Sequence, residues 1–104
     1  MTDWASNYIE RLAAGEIVKF RPRGNSMVPR IRSGQLCTVE PVRGETLIDK
    51  DDVVLCRCNG RSYLHLVHAV LEGHGLYQIG NMRGHVNGRV KRSAIYGKLV
   101  GVEP

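Results

Sequence analysis

Ser26 stands in the run Arg23-Gly24-Asn25-Ser26-Met27-Val28-Pro29, which bends the chain and holds one hydroxyl at the bend. Gly24 admits backbone angles closed to other residues, and Pro29 restricts the exit. A serine hydroxyl attacks a carbonyl only when a neighbouring base takes its proton and nearby donors stabilise the oxyanion that forms. The backbone N–H groups of Asn25 and Ser26 are the candidate donors, with Gly24, Met27 and Pro29 shaping the turn. The chemistry on offer is nucleophilic attack on an acyl carbon. Gly-Asn-Ser taken alone also makes an ordinary surface turn, so this reading depends on the rest of the chain.

A second group, Cys56-x-Cys58 with His65-x-x-His68, has the residue types of a zinc site. Its C-x-C spacing is tighter than that of usual sites, and on a hairpin His65 and His68 fall on opposite faces. Alternating strand cysteines account for the same letters, so no metal and no cofactor is expected. His74 and His85 sit among glycines and read as solvated.

Basic residues gather twice: Lys19, Arg21, Arg23, Arg30 and Arg32 around the serine turn, and Arg83, Arg89, Lys91 and Arg92 later in the chain. The formal charge is +5 and the sequence pI about 9.5, a balance that attracts acidic partners over a range set by salt. Solvated faces are the usual explanation of such runs. Arg21, Arg23, Arg30 and Arg32 are the candidate binding surface for an acidic protein, a substrate carboxylate or a phosphate backbone. Few aromatics are available for stacking on single-stranded bases.

These groups have to be positioned by short elements. Residues 3 to 14 place Trp4, Tyr8, Ile9 and Leu12 at helical spacing, with Thr2 or Asp3 as cap and Gly15 as stop. From Glu16 to Arg23 the period becomes two, Val18 and Phe20 facing one side and Ile17, Lys19, Arg21 and Arg23 the other. Gln35 to Val42 is a further strand. Asp52 to Cys58 and Arg61 to Val70 flank Asn59-Gly60, the pair best suited to a type I′ hairpin turn. That turn sets Cys58 opposite Arg61, Cys56 opposite Tyr63, Leu55 opposite Leu64, Val54 opposite His65 and Val53 opposite Leu66. Leu76 to Ile79 reads as a strand, Gly80 to Gly88 as a loop, and Ile95 to Val102 as the closing strand.

Composition bounds the class. A chain of 104 residues, 42% hydrophobic, suits one domain: a helix over 1–15 followed by a β domain over 16–104. The three cysteines, Cys37, Cys56 and Cys58, read as reduced thiols of a cytoplasmic protein. No run approaches the ~18 apolar residues of a membrane span, and the first residues lack the pattern of a signal peptide, so no membrane partner is expected.

The order of strand, Ser-Met-x-Pro turn, strand, Asp-Val-Val strand, hairpin and closing Gly-x-Val-x-Gly-like strand resembles the signal-peptidase and LexA-type serine peptidase superfamily over residues 16 to 103. The matching pieces are Gly24 to Pro29, Ser33-Gly34 before Leu36 to Val39, Asp52 to Leu55, Tyr63-Leu64-His65 and Tyr96 to Gly101. The resemblance implies a mainly β fold, coiled and partly closed, with one short N-terminal helix. It also implies a peptidase-like serine hydrolase in which Ser26 is the nucleophile. Bacterial members carry a lysine base on the second hairpin strand. Here no lysine occurs from residue 51 through 90, and the matching position is His65, as in the endoplasmic-reticulum and archaeal type. The acidic residue that orients that histidine in such relatives matches Asn81.

The same resemblance admits two further readings. One is a small stand-alone, phage-type relative without catalysis that binds a protein of repression or host defence. The other is a basic nucleic-acid-binding domain. LexA-like relatives commonly dimerise, and Ile95 to Val102 would supply such a contact. Ala14-Gly15 resembles a self-cleavage bond, yet one short strand separates it from Ser26, so the expected substrate is another peptide or protein.

Overall fold

The computed structural model describes residues 2–104. It is mainly β: one helix, α1 (Ser6–Ala13), followed by β1 (Val18–Phe20), β2 (Leu36–Pro41), β3 (Val53–Cys58), β4 (Arg61–Leu71), β5 (Leu76–Gly80), β6 (Val86–Lys91) and β7 (Ile95–Glu103), with one 3-10 turn at Arg92–Ala94. The seven strands form one antiparallel sheet in the order β1-β2-β7-β3-β4-β5-β6. β1 and β6 are its edges and do not pair. No helix among the described residues is long and apolar enough to cross a membrane.

Helix α1 is shorter than its apolar spacing predicts, because Asp3 is spent on the entry turn. Its Oδ1 accepts the Ala5 N–H at 3.0 Å, and its own N–H donates to Ser6 Oγ at 2.9 Å. Trp4 therefore lies outside the helix and is 50% exposed. Gly15 stops the helix at φ 90°, a conformation that favours glycine. Ala5, Ile9 and Leu12 are buried against the sheet. The helix seats closely because residue 97 is glycine: a Cβ there would lie 2.9 Å from Leu12 Cδ1 and also press on Val39.

Strand β3 lies between β7 and β4 and is buried on both faces, which explains the unbroken Val53-Val54-Leu55-Cys56 run. Val53, Leu55 and Leu64 join α1, β1 and β2 in one core, while Val54, Cys56, Cys58 and Val67 join Ile48, Ile79, Val90 and Ile95 in the other. The hairpin register is the expected one at all five pairs, from Val53–Leu66 to Cys58–Arg61. Asn59 at φ 51° and Gly60 at φ 80° supply the left-handed pair that a type I′ turn requires.

The segment after β5 departs from expectation. Instead of a loop through Gly88, a short turn at 81–85 leads into β6, so Arg89 and Lys91 are strand residues rather than loop residues. β6 pairs with β5 yet also reaches the β3–β4 turn, where Asn59 Nδ2 donates to the Asn87 carbonyl at 3.2 Å. The sheet is thus coiled back on itself, with its edges left open.

Candidate active site

The serine turn is a closed loop between β1 and β2. Gly34 N–H donates to the Pro22 carbonyl at 2.9 Å and Gly24 N–H to Ser33 Oγ at 3.1 Å, which joins the two arms. Gly24 has φ 112° and Gly34 φ 87°, so both places suit glycine. Met27 and Ile31 turn inward and are nearly fully buried, anchoring the loop in the helix-side core. The Ser26 carbonyl accepts the Met82 N–H at 3.0 Å. That bond fixes the peptide following the hydroxyl-bearing carbon, while Ser26 itself stays exposed.

His65 reaches Ser26 from β4. Its position opposite Val54 in the hairpin turns the ring toward the serine loop, and Nε2 lies 3.1 Å from Ser26 Oγ. Its other nitrogen, Nδ1, lies 2.7 Å from Oδ1 of Asn87 on β6. A carboxamide oxygen only accepts, so Nδ1 carries the proton and donates, and Nε2 is left as the acceptor for the serine hydroxyl. The three groups form a line: Ser26 O–H to His65, His65 N–H to Asn87. His65 is 8% exposed and its ring sits 4.8 Å from the Tyr63 ring. Burial lowers the His65 pKa below 6.5, the bond to Asn87 opposes this, and nearby His68 and His85 add to the lowering. Neutral imidazole, the form that accepts a proton, therefore predominates at pH 7.

Asn81 does not orient His65. Its side-chain Oδ1 accepts the N–H groups of Arg83 and His85, both at 2.9 Å, and its carbonyl accepts from His68 Nε2 at 2.8 Å. Asn81 builds the turn that delivers Met82 to the Ser26 carbonyl, so it supports the serine loop and leaves the imidazole to Asn87. The sequence signal for Asn87 is slight: Gly88 and Val90 alternate with Asn87, Arg89 and Lys91, the pattern of an edge strand. Gly88 is what lets β6 come so near. A Cβ at that position would meet Cys58 Sγ at 2.8 Å and Asn59 Nδ2 at 3.0 Å.

The N–H groups of Asn25 and Ser26 donate to no carbonyl or side chain among the described residues, whereas that of Gly24 is taken by Ser33. They are unspent donors in the same turn as the hydroxyl. The four arginines divide. Arg21 and Arg23 border a cleft of about 520 Å³ that also contains Ser26 and His65, with Arg21 Nη1 donating to the Gly34 carbonyl at 2.8 Å. Arg30 instead binds the Asp51 carbonyl, and Arg32 lies in the turn beyond. Cys56 and Cys58 pack inside the second core, and burial together with the neighbouring Cys58 pushes the Cys56 thiol up to about 12. The sequence matches no protein-family model and no curated protein.

Proposed function

We propose that this protein is a peptidase-like serine hydrolase that works through Ser26, His65 and Asn87. The observation that carries the reading is the continuous line from Ser26 Oγ to His65 Nε2 at 3.1 Å and from His65 Nδ1 to Asn87 Oδ1 at 2.7 Å. In the first half of the reaction Ser26 Oγ attacks the acyl carbon while Nε2 takes the hydroxyl proton, and the carbonyl oxygen gains negative charge facing the N–H groups of Asn25 and Ser26. Collapse breaks the bond to the leaving group, which receives the proton from Nε2. Water, deprotonated by the same nitrogen, then releases the acyl group and restores the hydroxyl. The resemblance to the signal-peptidase and LexA-type superfamily supports the same roles for Ser26 and His65.

A fluorophosphonate probe tests this directly. The expected result is a covalent adduct on Ser26, absent in Ser26→Ala and reduced in His65→Ala by about 100-fold or more in rate. Lack of any adduct between about pH 7 and 9, above the ordinary imidazole pKa of about 6.5, would overturn the reading.

One observation favours a second reading, a binding module built on the same frame. Asn87 offers a dipole where a carboxylate would offer a full charge, so an imidazolium gains less stabilisation here. A cleft that binds a peptide without forming an adduct is the outcome that selects this alternative.

A further inference from the structure

The cleft beside Ser26 has two features that the Ser-His-Asn line does not use. One wall is aromatic: Phe20 stacks on Tyr8 with ring centroids 4.5 Å apart and leans on Trp4 at 5.8 Å. Trp4 remains half exposed, facing a cleft whose apolar lining continues through Met27 and Leu64. The other feature is charge. Arg21 and Arg23 border the cleft, and no Asp or Glu is among the described residues that line it. Arg21 spends one donor on Gly34, while the Arg23 side chain makes no hydrogen bond or ion pair among the described residues.

From this we infer that the cleft selects an acidic peptide segment bearing a bulky, preferably aromatic, side chain near the bond presented to Ser26. The inference deepens the hydrolase reading by naming its substrate class, and it rests on that reading only for the cleavage step. A volume of about 520 Å³ lies in the range of clefts that bind small ligands. Guanidinium groups at the mouth meet carboxylates with two parallel donors, and being near the surface they steer and select more than they hold. The aromatic wall supplies the larger share of binding through area removed from water.

Trp4 is the chain's one tryptophan, so its fluorescence reports occupancy of this cleft. The test uses the full chain carrying Ser26→Ala, which binds without chemistry, titrated with acetyl-Glu-Phe-Glu-amide, acetyl-Lys-Phe-Lys-amide and acetyl-Glu-Ala-Glu-amide. The acidic aromatic peptide is expected to change Trp4 emission saturably, and to bind about 10-fold or more tightly than the alanine peptide. Arg23→Glu, an exposed change that spares the core, is expected to weaken it by about fivefold and to narrow its lead over the lysine peptide. Equal binding of the three peptides, no change in emission, or indifference to Arg23→Glu would each overturn the inference. Adduct formation at Ser26 without preference for the acidic aromatic peptide sinks the substrate class and leaves the hydrolase standing. Selective binding by a chain that forms no adduct supports the cleft assignment and sinks catalysis alone.

Discussion

His65 Nδ1 and Asn87 Oδ1 lie 2.7 Å apart although their strands, β4 and β6, are separated in the sheet by β5. The contact exists because the sheet coils until its edge strand crosses the end of the β3–β4 hairpin, where Asn59 holds the Asn87 carbonyl. One amide thereby determines which nitrogen of the imidazole faces Ser26. The shape of the whole sheet is read out at a single hydrogen bond.

Removing that amide is expected to separate binding from chemistry. Asn87→Ala leaves Ser26 and the cleft wall in place but frees the ring to rotate or change tautomer, so kcat falls by about 10- to 100-fold, part of what a positioned base contributes, with little change in KM. Asn87→Asp keeps an acceptor and adds a charge that favours imidazolium, so the acid limb of the kcat profile moves to higher pH. Rates of Asn87→Ala and Asn87→Asp measured from pH 5 to 9 (~ the span over which imidazole titrates) check both. An unshifted limb in Asn87→Asp would separate Asn87 from the ring.

Acidity is also expected to weaken the fold. The native His65 pKa is below 6.5, so between that value and 6.5 the unfolded chain binds a proton that the native state declines. The stability tied to the neutral ring is complete above pH 6.5 and is lost as pH falls toward the native value. Urea midpoints taken downward from pH 7.5 (~ one unit above the ordinary histidine value) are expected to decline more for the parent chain than for His65→Gln.

Much of this site is legible in the sequence, and the part that is not has a physical cause. Asn59-Gly60 dictates a two-residue turn, and a two-residue turn dictates register, so the place of His65 opposite Val54 follows from the letters alone. The bend at Ser26 is equally local, written in Gly24 and Pro29. Asn87 is different. Strand β6 is an edge strand with Asn87, Gly88 and Arg89 at its centre, and Val90 is its one buried residue, so neither a continuous apolar run nor strong alternation marks it. Nothing local says that this edge returns over the hairpin. Asn81, nearer to the strand that precedes it, is the more visible asparagine, and it proves to be the residue that builds the turn behind Ser26.

The thiols are expected to be silent in the native protein. Burial raises the pKa of Cys37, Cys56 and Cys58, that of Cys56 to about 12, and all three are free and buried. With so little thiolate and no access, a disulfide reagent at pH 8 (~ the ordinary thiol range) should titrate none of them until urea unfolds the chain, and then all three. Fast reaction of Cys37 in the native state would mean that the helix-side core opens easily, and of Cys56 or Cys58 that the second core does.

Leu55 is fully buried at the centre of β3, on the face that packs beneath the serine loop. Truncation to alanine removes contacts on a face shared by α1, β1 and β2, and a strand held on both sides cannot move to fill the space. The expected cost is about 2–5 kcal/mol in urea unfolding. A loss below ~1 kcal/mol would show that this core relaxes around the cavity.

Gly88→Ala provides the sharpest separation of stability from geometry. The added Cβ presses on Cys58 Sγ and on the Asn59 amide, two groups at the end of the hairpin, of which Asn59 is joined to β6 through the Asn87 carbonyl. Gly88 also holds φ 155°, a strained angle for alanine, so the edge strand is expected to shift outward and the fold to lose about 1–3 kcal/mol of stability. The same outward shift draws Asn87 away from His65. The variant should then copy Asn87→Ala in its kcat, and combining the two substitutions should cost little more than either alone, because both act through one contact. Additive losses in the double variant would mean that Gly88 serves activity by some route other than the placement of Asn87.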